Sequence, residues 1–95
     1  MTIDEQHFAR VDLNLMIVFL VIYREMSISR AARHLALGQP AVSASLVRLR
    51  KCFDDPLFIR KARGVAPTPK AQRIATDLLP AMSKIQALLI LLAAN

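Results

Sequence analysis

The chain has 95 residues, 55% of them hydrophobic, which is enough for one domain with an apolar core. It contains one cysteine, Cys52, so an intramolecular disulfide is excluded and a reduced, cytoplasmic protein is expected. The start, MTIDEQHF, has two acids and no apolar core, which is not typical of a secretory signal. No membrane span is expected, because residues 13–23 are too few and Pro80, Ser83 and Lys84 interrupt residues 78–95.

The net charge of +6 is unevenly distributed along the chain. Residues 30–73 contain ten lysines and arginines and two acids, whereas the rest of the chain contains three basic residues and five acids. A positive middle between neutral or acidic flanks indicates a surface that binds a polyanion such as nucleic acid. A solvated basic face without a partner is the alternative that charge alone leaves open.

The first predicted helix covers residues 13–24, and either Asp12 or Asn14 can cap its start. It is apolar almost all round, and a helix without a polar face has to bury two sides. One side can cover the core of this small domain. We expect the other side, with Leu15 and Phe19, to contact a second partner.

Two further helices follow and are joined by a tight turn. Ser27 caps a short helix over residues 28–36, and the Leu37-Gly38 pair forms the turn. The next helix begins at Gln39-Pro40, where a proline in the first turn loses no hydrogen bond, and it ends near residue 52. Its buried stripe has intervals of three and four residues and consists of Val42, Leu46, Leu49 and Phe53.

Two very short strands, residues 57–60 and 65–66, are predicted around a basic hairpin tip of sequence KARG. Thr68-Pro69 then starts the last helix, because a capping threonine followed by proline is typical of a helix start. The apolar residues of that helix repeat at intervals close to a heptad seam. A helix so long and apolar predicts a homodimer, whose interface would contain Leu15, Phe19, Ala71, Ala75, Leu78, Met82, Ile85 and Leu89.

These elements describe a mainly α-helical winged helix-turn-helix: three helices and a two-stranded wing in residues 1–67, then a linker and dimerisation helix in residues 68–95. In this geometry the second helix of the pair lies in the major groove and presents its N-terminal residues to base edges. Gln39 can pair with adenine or reach a phosphate, and Arg48, Arg50 and Lys51 are expected to hold the DNA backbone. The candidate DNA-binding residues are Ser29, Arg30, Gln39, Pro40, Ser43, Ala44, Val47, Arg48, Lys51, Arg60, Lys61 and Arg63.

The run SISRAARHLALGQPAVSASLVRLRKCFDDPLFIRKARGVAPTPKAQRI resembles the helix-turn-helix and wing of LysR-type transcriptional regulators, and VDLNLMIVF resembles their first helix. The order of DLNL, AA…L, QPAVS, LF-R and PT carries this resemblance over about residues 11–80. It implies a dimer, or a tetramer in a full-length protein, that binds double-stranded operator DNA of interrupted dyad symmetry. It also implies that Gln39, Pro40 and Ser43 lie in the major groove, that Ala44 occupies a variable base-reading position and that Arg60 is the wing arginine.

Two positions depart from the family pattern. Gly38 stands where members usually have Ser or Thr, so one phosphate contact from a side chain is lost, and Ala44 lacks a long polar side chain. Both departures place more of the recognition on Gln39, Ser43, the wing and DNA shape. A small-molecule effector is expected to bind only through a further domain of two α/β lobes that this chain lacks.

Two other function classes stay open: a winged helix that contacts protein, and a dimerisation module without operator specificity. The first predicts an acidic or neutral recognition helix, unlike the basic helix here. No cofactor or metal site is predicted, since His7 and His34 lack cysteine or acid partners at ligand spacing. No catalytic residue is predicted either, because Cys52 is interpreted as structural and no acid–histidine arrangement accompanies the serines.

Overall fold

A computed structural model describes residues 1–94 of the chain. A 3₁₀ helix at Glu5–Phe8 comes first, followed by α1 (Leu13–Glu25), α2 (Ile28–Leu35), α3 (Gln39–Phe53), β1 (Phe58–Arg60), β2 (Val65–Pro67) and α4 (Pro69–Ala93). The element order confirms the predicted mainly α-helical fold with a two-stranded wing, and the element ends differ from the predicted ones by one or two residues. Asn95, the last residue of the predicted linker helix, lies outside the described residues.

Side-chain caps fix the starts of three helices where the sequence predicted them. A capping oxygen accepts a hydrogen bond from a backbone N–H that the helix itself leaves unpaired. The bonds are from Leu15 to Asp12 at 2.9 Å, from Arg30 to Ser27 at 3.2 Å and from Ala71 to Thr68 at 3.1 Å. The start of α3 has no such bond, because Gly38 occupies the capping position.

One hydrophobic core lies between α1, α2, α3, the wing and the beginning of α4. Phe19 and Phe58 are at its centre, with their rings 5.5 Å apart, and both are almost fully buried. The predicted stripe on α3 is confirmed for Val42, Leu46 and Leu49, whereas Phe53 is half-buried at the end of the helix. The α3 helix therefore turns its opposite face, which carries the candidate DNA-binding residues, to solvent.

Four residues expected at a dimer interface lie inside this core instead. Leu15 and Phe19 of α1 are 3% and 0% exposed, and Ala71 and Ala75 of α4 are 0% and 6% exposed. The prediction was wrong for Leu15, Phe19 and Ala71, because apolar periodicity identifies a helix face but not the neighbour that covers it. The first two turns of α4 pack on this domain, so only the later part of the predicted seam is available to a second chain: Leu78, Met82 and Ile85 are half-buried and Leu89 is exposed.

The exposed part of α4 is unusually apolar. By length and composition this helix could cross a bilayer, although Pro80, Ser83 and Lys84 were expected to interrupt such a stretch. Composition alone does not separate a membrane-spanning helix from a helix whose apolar side packs on another protein. The buried alanines hold the first turns in the domain core, so the surface that needs a partner lies on the later turns, which include Leu88, Leu89, Ile90, Leu91 and Leu92.

Candidate nucleic-acid interface

The twelve candidate DNA-binding residues all lie exposed on α2, α3 and the wing. Val47 is a large apolar residue of α3 that remains 48% exposed, so its side chain is available for an apolar contact. Ser43, Ala44 and Arg48 share the exposed side of the same helix. The exposed side of α3 thus combines small, apolar and basic residues, a composition that suits base edges and phosphates.

The beginnings of α2 and α3 lie next to each other. The Ser29 hydroxyl on α2 donates a hydrogen bond to the Gln39 side-chain carbonyl oxygen at 3.3 Å. Gln39 is the first residue of α3, Pro40 is the second, and Gly38 precedes them with φ −70° and ψ 150°. The positive end of the α3 dipole is therefore exposed beside a polar pair of side chains, an arrangement that attracts anions such as phosphate.

The wing is an antiparallel hairpin in which Arg60 pairs with Val65. Its tip is closed by the Lys61 N–H, which donates to the Gly64 carbonyl at 2.9 Å, and the Val65 N–H donates to the Met26 carbonyl at 3.0 Å. Gly64 has φ +81°, and a Cβ placed there would lie 2.1 Å from the Met26 oxygen. The wing backbone therefore packs directly on the turn between α1 and α2, where only glycine fits.

Arg50 was expected to hold the DNA backbone, but its guanidinium is engaged within the protein. Its Nε donates to the Pro56 carbonyl at 2.8 Å, and its Nη2 donates to the Phe58 carbonyl at 3.3 Å. Arg50 thus ties α3 to the beginning of β1 and fixes the wing relative to the recognition helix. No local sequence pattern indicates this role, since the two carbonyls lie beyond the end of α3, one in the loop before β1 and one in β1.

Asp55 lies in the loop between α3 and β1, where its carboxylate forms two hydrogen bonds. Asp54 ends α3 in the left-handed conformation, with φ 50°. The Asp55 carboxylate accepts hydrogen bonds from the Leu57 N–H at 2.8 Å and from the Thr68 hydroxyl at 2.7 Å. These two bonds, that from Thr68 first, hold the pKa of Asp55 below its ordinary value. Because the Thr68 oxygen also caps α4, Asp55 connects the loop before the wing to the start of that helix.

Glu25, at the end of α1, lies among three basic side chains. It accepts a hydrogen bond from the Arg24 Nε at 2.7 Å and lies 3.8 Å from the Arg30 Nε and 3.4 Å from the His34 Nε2. The hydrogen bond from Arg24 is the main cause that lowers the pKa of Glu25, against the opposite effect of burial, and the electrostatic effect of the neighbouring side chains adds to it. Arg30 also donates to the Glu25 backbone carbonyl at 2.7 Å, so this candidate DNA-binding residue is partly engaged within the protein.

Both histidines have an acidic neighbour, contrary to the sequence interpretation. His7 lies 3.8 Å from Asp4, and His34 lies near Glu25. Within residues 1–94, however, no three His, Cys, Asp or Glu side chains come together as a metal site requires. Cys52 donates from its thiol to the Arg10 carbonyl at 3.4 Å, a contact between α3 and the N-terminal segment.

The basic residues of the middle region thus divide into two groups. Arg30, Arg50 and Lys70 bond to protein groups, with the Lys70 ammonium donating to the Phe53 carbonyl at the end of α3. The other seven form no side-chain hydrogen bond or ion pair within the described part of the chain. They are exposed and are Arg33, Arg48, Lys51, Arg60, Lys61, Arg63 and Arg73.

A second surface is apolar and lies between α1 and α4. It forms a groove of about 600 Å³. Four polar residues, Arg24, Thr76, Ser83 and Gln86, line part of it, and the other lining residues are Ile17, Leu20, Val21, Tyr23, Ala75, Leu79, Met82, Ile85 and Leu89. The groove is formed by α1 and α4, so it lies apart from the exposed basic residues of α2, α3 and the wing.

The family model described as "Bacterial regulatory helix-turn-helix protein, lysR family" matches residues 13–72. The chain belongs to the LysR family. The match covers α1 to the beginning of α4 and includes every candidate DNA-binding residue. The resemblance inferred from the sequence motifs is therefore confirmed.

Known LysR-family regulators resemble this chain over most of its length. HTH-type transcriptional regulator SyrM 1 of Sinorhizobium fredii is 40% identical over 83 residues, which is 87% of this chain and 25% of that protein. HTH-type transcriptional regulator LeuO of Escherichia coli is 42% identical over 76 residues, which is 80% of this chain and 24% of that protein. The chain therefore spans about a quarter of the length of these relatives.

Solved structures share the fold. The probable transcriptional regulator PA0477 from Pseudomonas aeruginosa superposes with a TM-score of 0.81 and 35% identity, covering 86% of this chain and 28% of that one. The BenM DNA-binding domain in complex with catB site 1 DNA gives a TM-score of 0.79 at 21% identity, covering 88% of this chain and 94% of that one. At that identity the BenM structure supports the winged fold alone.

Proposed function

We propose that this LysR-family domain binds double-stranded DNA sequence-specifically as a homodimer, with α3 in the major groove and the wing on the minor groove or backbone. One observation supports this proposal most directly. Seven exposed basic residues of the middle region form no side-chain hydrogen bond or ion pair within the described residues. Seven unpaired positive charges within one part of the chain produce a positive potential that attracts a polyanion such as DNA. The relatives SyrM 1 and LeuO are transcriptional regulators by name, which supports the same function.

Base reading and phosphate binding fall to different residues in this proposal. Gln39, Pro40, Ser43 and Ala44, with Val47 further along α3, would contact base edges, because the first turns of a recognition helix lie deepest in the groove. Arg48 and Lys51 would hold phosphates on either side. In the wing, Arg60, Lys61 and Arg63 would bind the minor groove or the backbone, and Arg30 would reach a phosphate only by leaving Glu25.

The dimer would form through the apolar groove between α1 and α4, which Leu89 lines and Leu88 does not. Of the residues predicted for the interface, Ala75, Met82, Ile85 and Leu89 line the groove, although Ala75 is almost fully buried in the domain core. We propose Ile17, Leu20, Val21 and Leu79 as additional interface residues, since they line the same groove. A two-fold axis through this surface would present two copies of α3 to two half-sites of an operator.

The DNA proposal is tested by selecting duplexes from a random pool with the purified domain and then measuring affinity at several salt concentrations. Each phosphate that is neutralised contributes about −0.9 to the slope of log K against log salt. Seven unpaired lysine and arginine residues therefore limit the slope to about −6 per chain. Arg60→Ala and Lys61→Ala should weaken binding to all duplexes and flatten this slope. Lys84→Ala is the control, because Lys84 is exposed but lies on α4, outside the basic middle.

A complex insensitive to salt would contradict the electrostatic part of the proposal. A pool that yields no enriched sequence would favour the alternative, a dimerisation module without operator specificity. The wild-type and control proteins carry the same wing. A loss of affinity in Lys84→Ala as large as that in Lys61→Ala would therefore show that DNA affinity does not depend on the wing in particular.

The dimer proposal is tested by sedimentation equilibrium on two matched variants. Leu88 and Leu89 are each 60% exposed, but only Leu89 lines the groove. Leu89→Lys should raise the dimer dissociation constant strongly and weaken operator binding, because the half-sites lose their linked partner. Leu88→Lys should have a much smaller effect on both. A monomeric wild type, or equal effects of the two substitutions, would contradict the proposed interface.

Three further parts of the proposal follow from family membership. We propose that the domain has no catalytic activity and acts in the bacterial cytoplasm, where its DNA is. Residues 1–67 would read DNA and residues 68–95 would link and dimerise, although the first two turns of α4 share the core. This chain spans about a quarter of the relatives' length. Binding of a small-molecule effector, or assembly into a tetramer, would require a further domain.

A further inference from the structure

The bond between Ser29 and Gln39 joins a residue of α2 to the first residue of the recognition helix. The Ser29 hydroxyl donates to the Gln39 Oε1 at 3.3 Å. Ser29 is not needed as a helix cap, because Ser27 already accepts the Arg30 N–H at the start of α2. The Ser29 hydroxyl forms no other hydrogen bond within residues 1–94, so it is available to Gln39 alone.

The relative position of the two side chains is fixed by the packing of their helices. Ala31 and Ala32 of α2 are 0% and 4% exposed, and their small side chains let α2 approach its neighbours closely. The turn after α2 is closed by the Leu37 N–H, which donates to the Ala32 carbonyl at 2.9 Å. Ser29 therefore meets Gln39 because of the helix-turn-helix geometry itself.

The bond determines which part of the Gln39 amide faces outward. A glutamine side chain carries its carbonyl oxygen and its NH₂ group on opposite sides of one planar carbon. When the oxygen faces Ser29, the NH₂ group points away from α2 with both hydrogens free. Pairing with adenine requires the amide to accept from the adenine amino group and donate to N7 at the same time. A carbonyl oxygen has two lone pairs, so an oxygen that already accepts from Ser29 can offer only its remaining one to adenine, which weakens that pairing.

We propose that Ser29 is a positioning residue that holds Gln39 as a hydrogen-bond donor and thereby sets the base preference of the recognition helix. Gln39 then favours a base with only acceptors in the major groove, which means guanine with O6 and N7 or thymine with O4. Adenine and cytosine present an amino group there and are disfavoured. This inference rests on the proposed function, because it assumes that Gln39 reaches a base.

The test is selection from randomised duplexes with the wild-type domain and with Ser29→Ala, Ser29→Thr and Gln39→Ala. We expect the wild type to enrich guanine or thymine at one position of each half-site, and Gln39→Ala to lose preference at that position. Ser29→Ala should admit adenine there, with discrimination falling roughly two- to twelvefold, the range that one neutral hydrogen bond supports. Ser29→Thr keeps the hydroxyl and should keep the wild-type preference.

Two further measurements distinguish positioning from other roles. Ser29→Ala should leave the slope of log K against log salt unchanged, whereas loss of a phosphate contact lowers affinity for every duplex alike and flattens the slope. It should also unfold at the wild-type temperature, because Ser29 is exposed and caps nothing.

Four results would overturn the inference while the proposed function stands. Two concern Ser29→Ala: an unchanged base preference, or a uniform loss of affinity for every duplex. The other two are enrichment of adenine by the wild type at the position that Gln39 reads, and no effect of Gln39→Ala on base preference. A wild-type domain that enriches no sequence would instead overturn the proposed function, and the inference with it.

Discussion

Replacing Gly38 by serine should stabilise the domain. Gly38 has φ −70° and ψ 150°, and a Cβ there would meet only the Pro40 Cδ, at an ordinary contact distance of 3.6 Å. A serine therefore fits without strain, lowers the entropy of the unfolded chain and supplies the side-chain cap that α3 lacks. Because Pro40 has no N–H, the cap would serve Ala41. Together these effects should raise the free energy of unfolding by about 1 kcal/mol.

The same serine should strengthen DNA binding. A capping hydroxyl accepts from the backbone and keeps its own hydrogen free to donate to a phosphate at the exposed start of α3. A hydrogen bond to a charged group contributes about 1.5 kcal/mol or more, so the affinity should rise roughly tenfold. Gly38→Asp is the matched control, because aspartate caps as well as serine but carries a negative charge. It should weaken binding roughly fivefold, the effect of about 1 kcal/mol of repulsion at 4 Å.

Thermal unfolding at fixed protein concentration and operator binding at one salt concentration test both parts. In a domain of this size, 1 kcal/mol corresponds to a rise in Tm of about 4–8 °C, which both variants should show. The reasoning fails on stability if neither variant raises the Tm. It fails on DNA if serine and aspartate change the affinity in the same direction, because the start of α3 would then not lie near a phosphate.

Two other substitutions test the packing behind the interface. Gly64→Ala should lower the free energy of unfolding, measured by urea titration, by roughly 2 kcal/mol, because its Cβ would lie 2.1 Å from the Met26 oxygen at φ +81°. Gly38→Ala, at the other glycine position, is the control and should be nearly neutral in the same titration. Equal effects at both sites would contradict the argument. Asp55→Asn should lower stability at pH 7, and because the folded pKa of Asp55 is depressed, its contribution is present above the unfolded value and is lost as pH falls through the folded one. The difference in unfolding free energy between wild type and Asp55→Asn should therefore shrink below about pH 4, and a difference that does not change with pH would contradict the role assigned to the carboxylate.

The sequence predicted those elements whose signals are local. Ser27 and Thr68 are recognisable as caps because each precedes a helical pattern, and the structure places a backbone N–H on each hydroxyl. The α3 stripe was predictable because Val42, Leu46 and Leu49 recur with the helical period. In such cases the physical cause lies within a few residues, so a pattern in the chain is sufficient.

Contacts between distant segments could not be predicted in this way. Phe19 and Ala75 have the spacing of interface residues, but their burial depends on where α4 packs, which no local pattern contains. Arg50 bonds to carbonyls six and eight residues further along the chain, beyond the range of a helical pattern. The bond of Asp55 to Thr68 also joins residues that only the folded wing brings together.

The basic residues illustrate why charge alone overstates the DNA interface. The sequence offers ten in the middle region, yet Arg30, Arg50 and Lys70 bond to backbone carbonyls at helix ends and near the wing. Arg30 joins α2 to the end of α1, Arg50 joins α3 to the wing, and Lys70 joins α4 to the end of α3, so these three charges act on DNA binding through geometry. A side chain that positions the interface and one that binds a phosphate can cost the same affinity when removed, but only the second releases a counterion. The salt dependence of each variant therefore separates the two groups, which a comparison of affinities at one salt concentration cannot do.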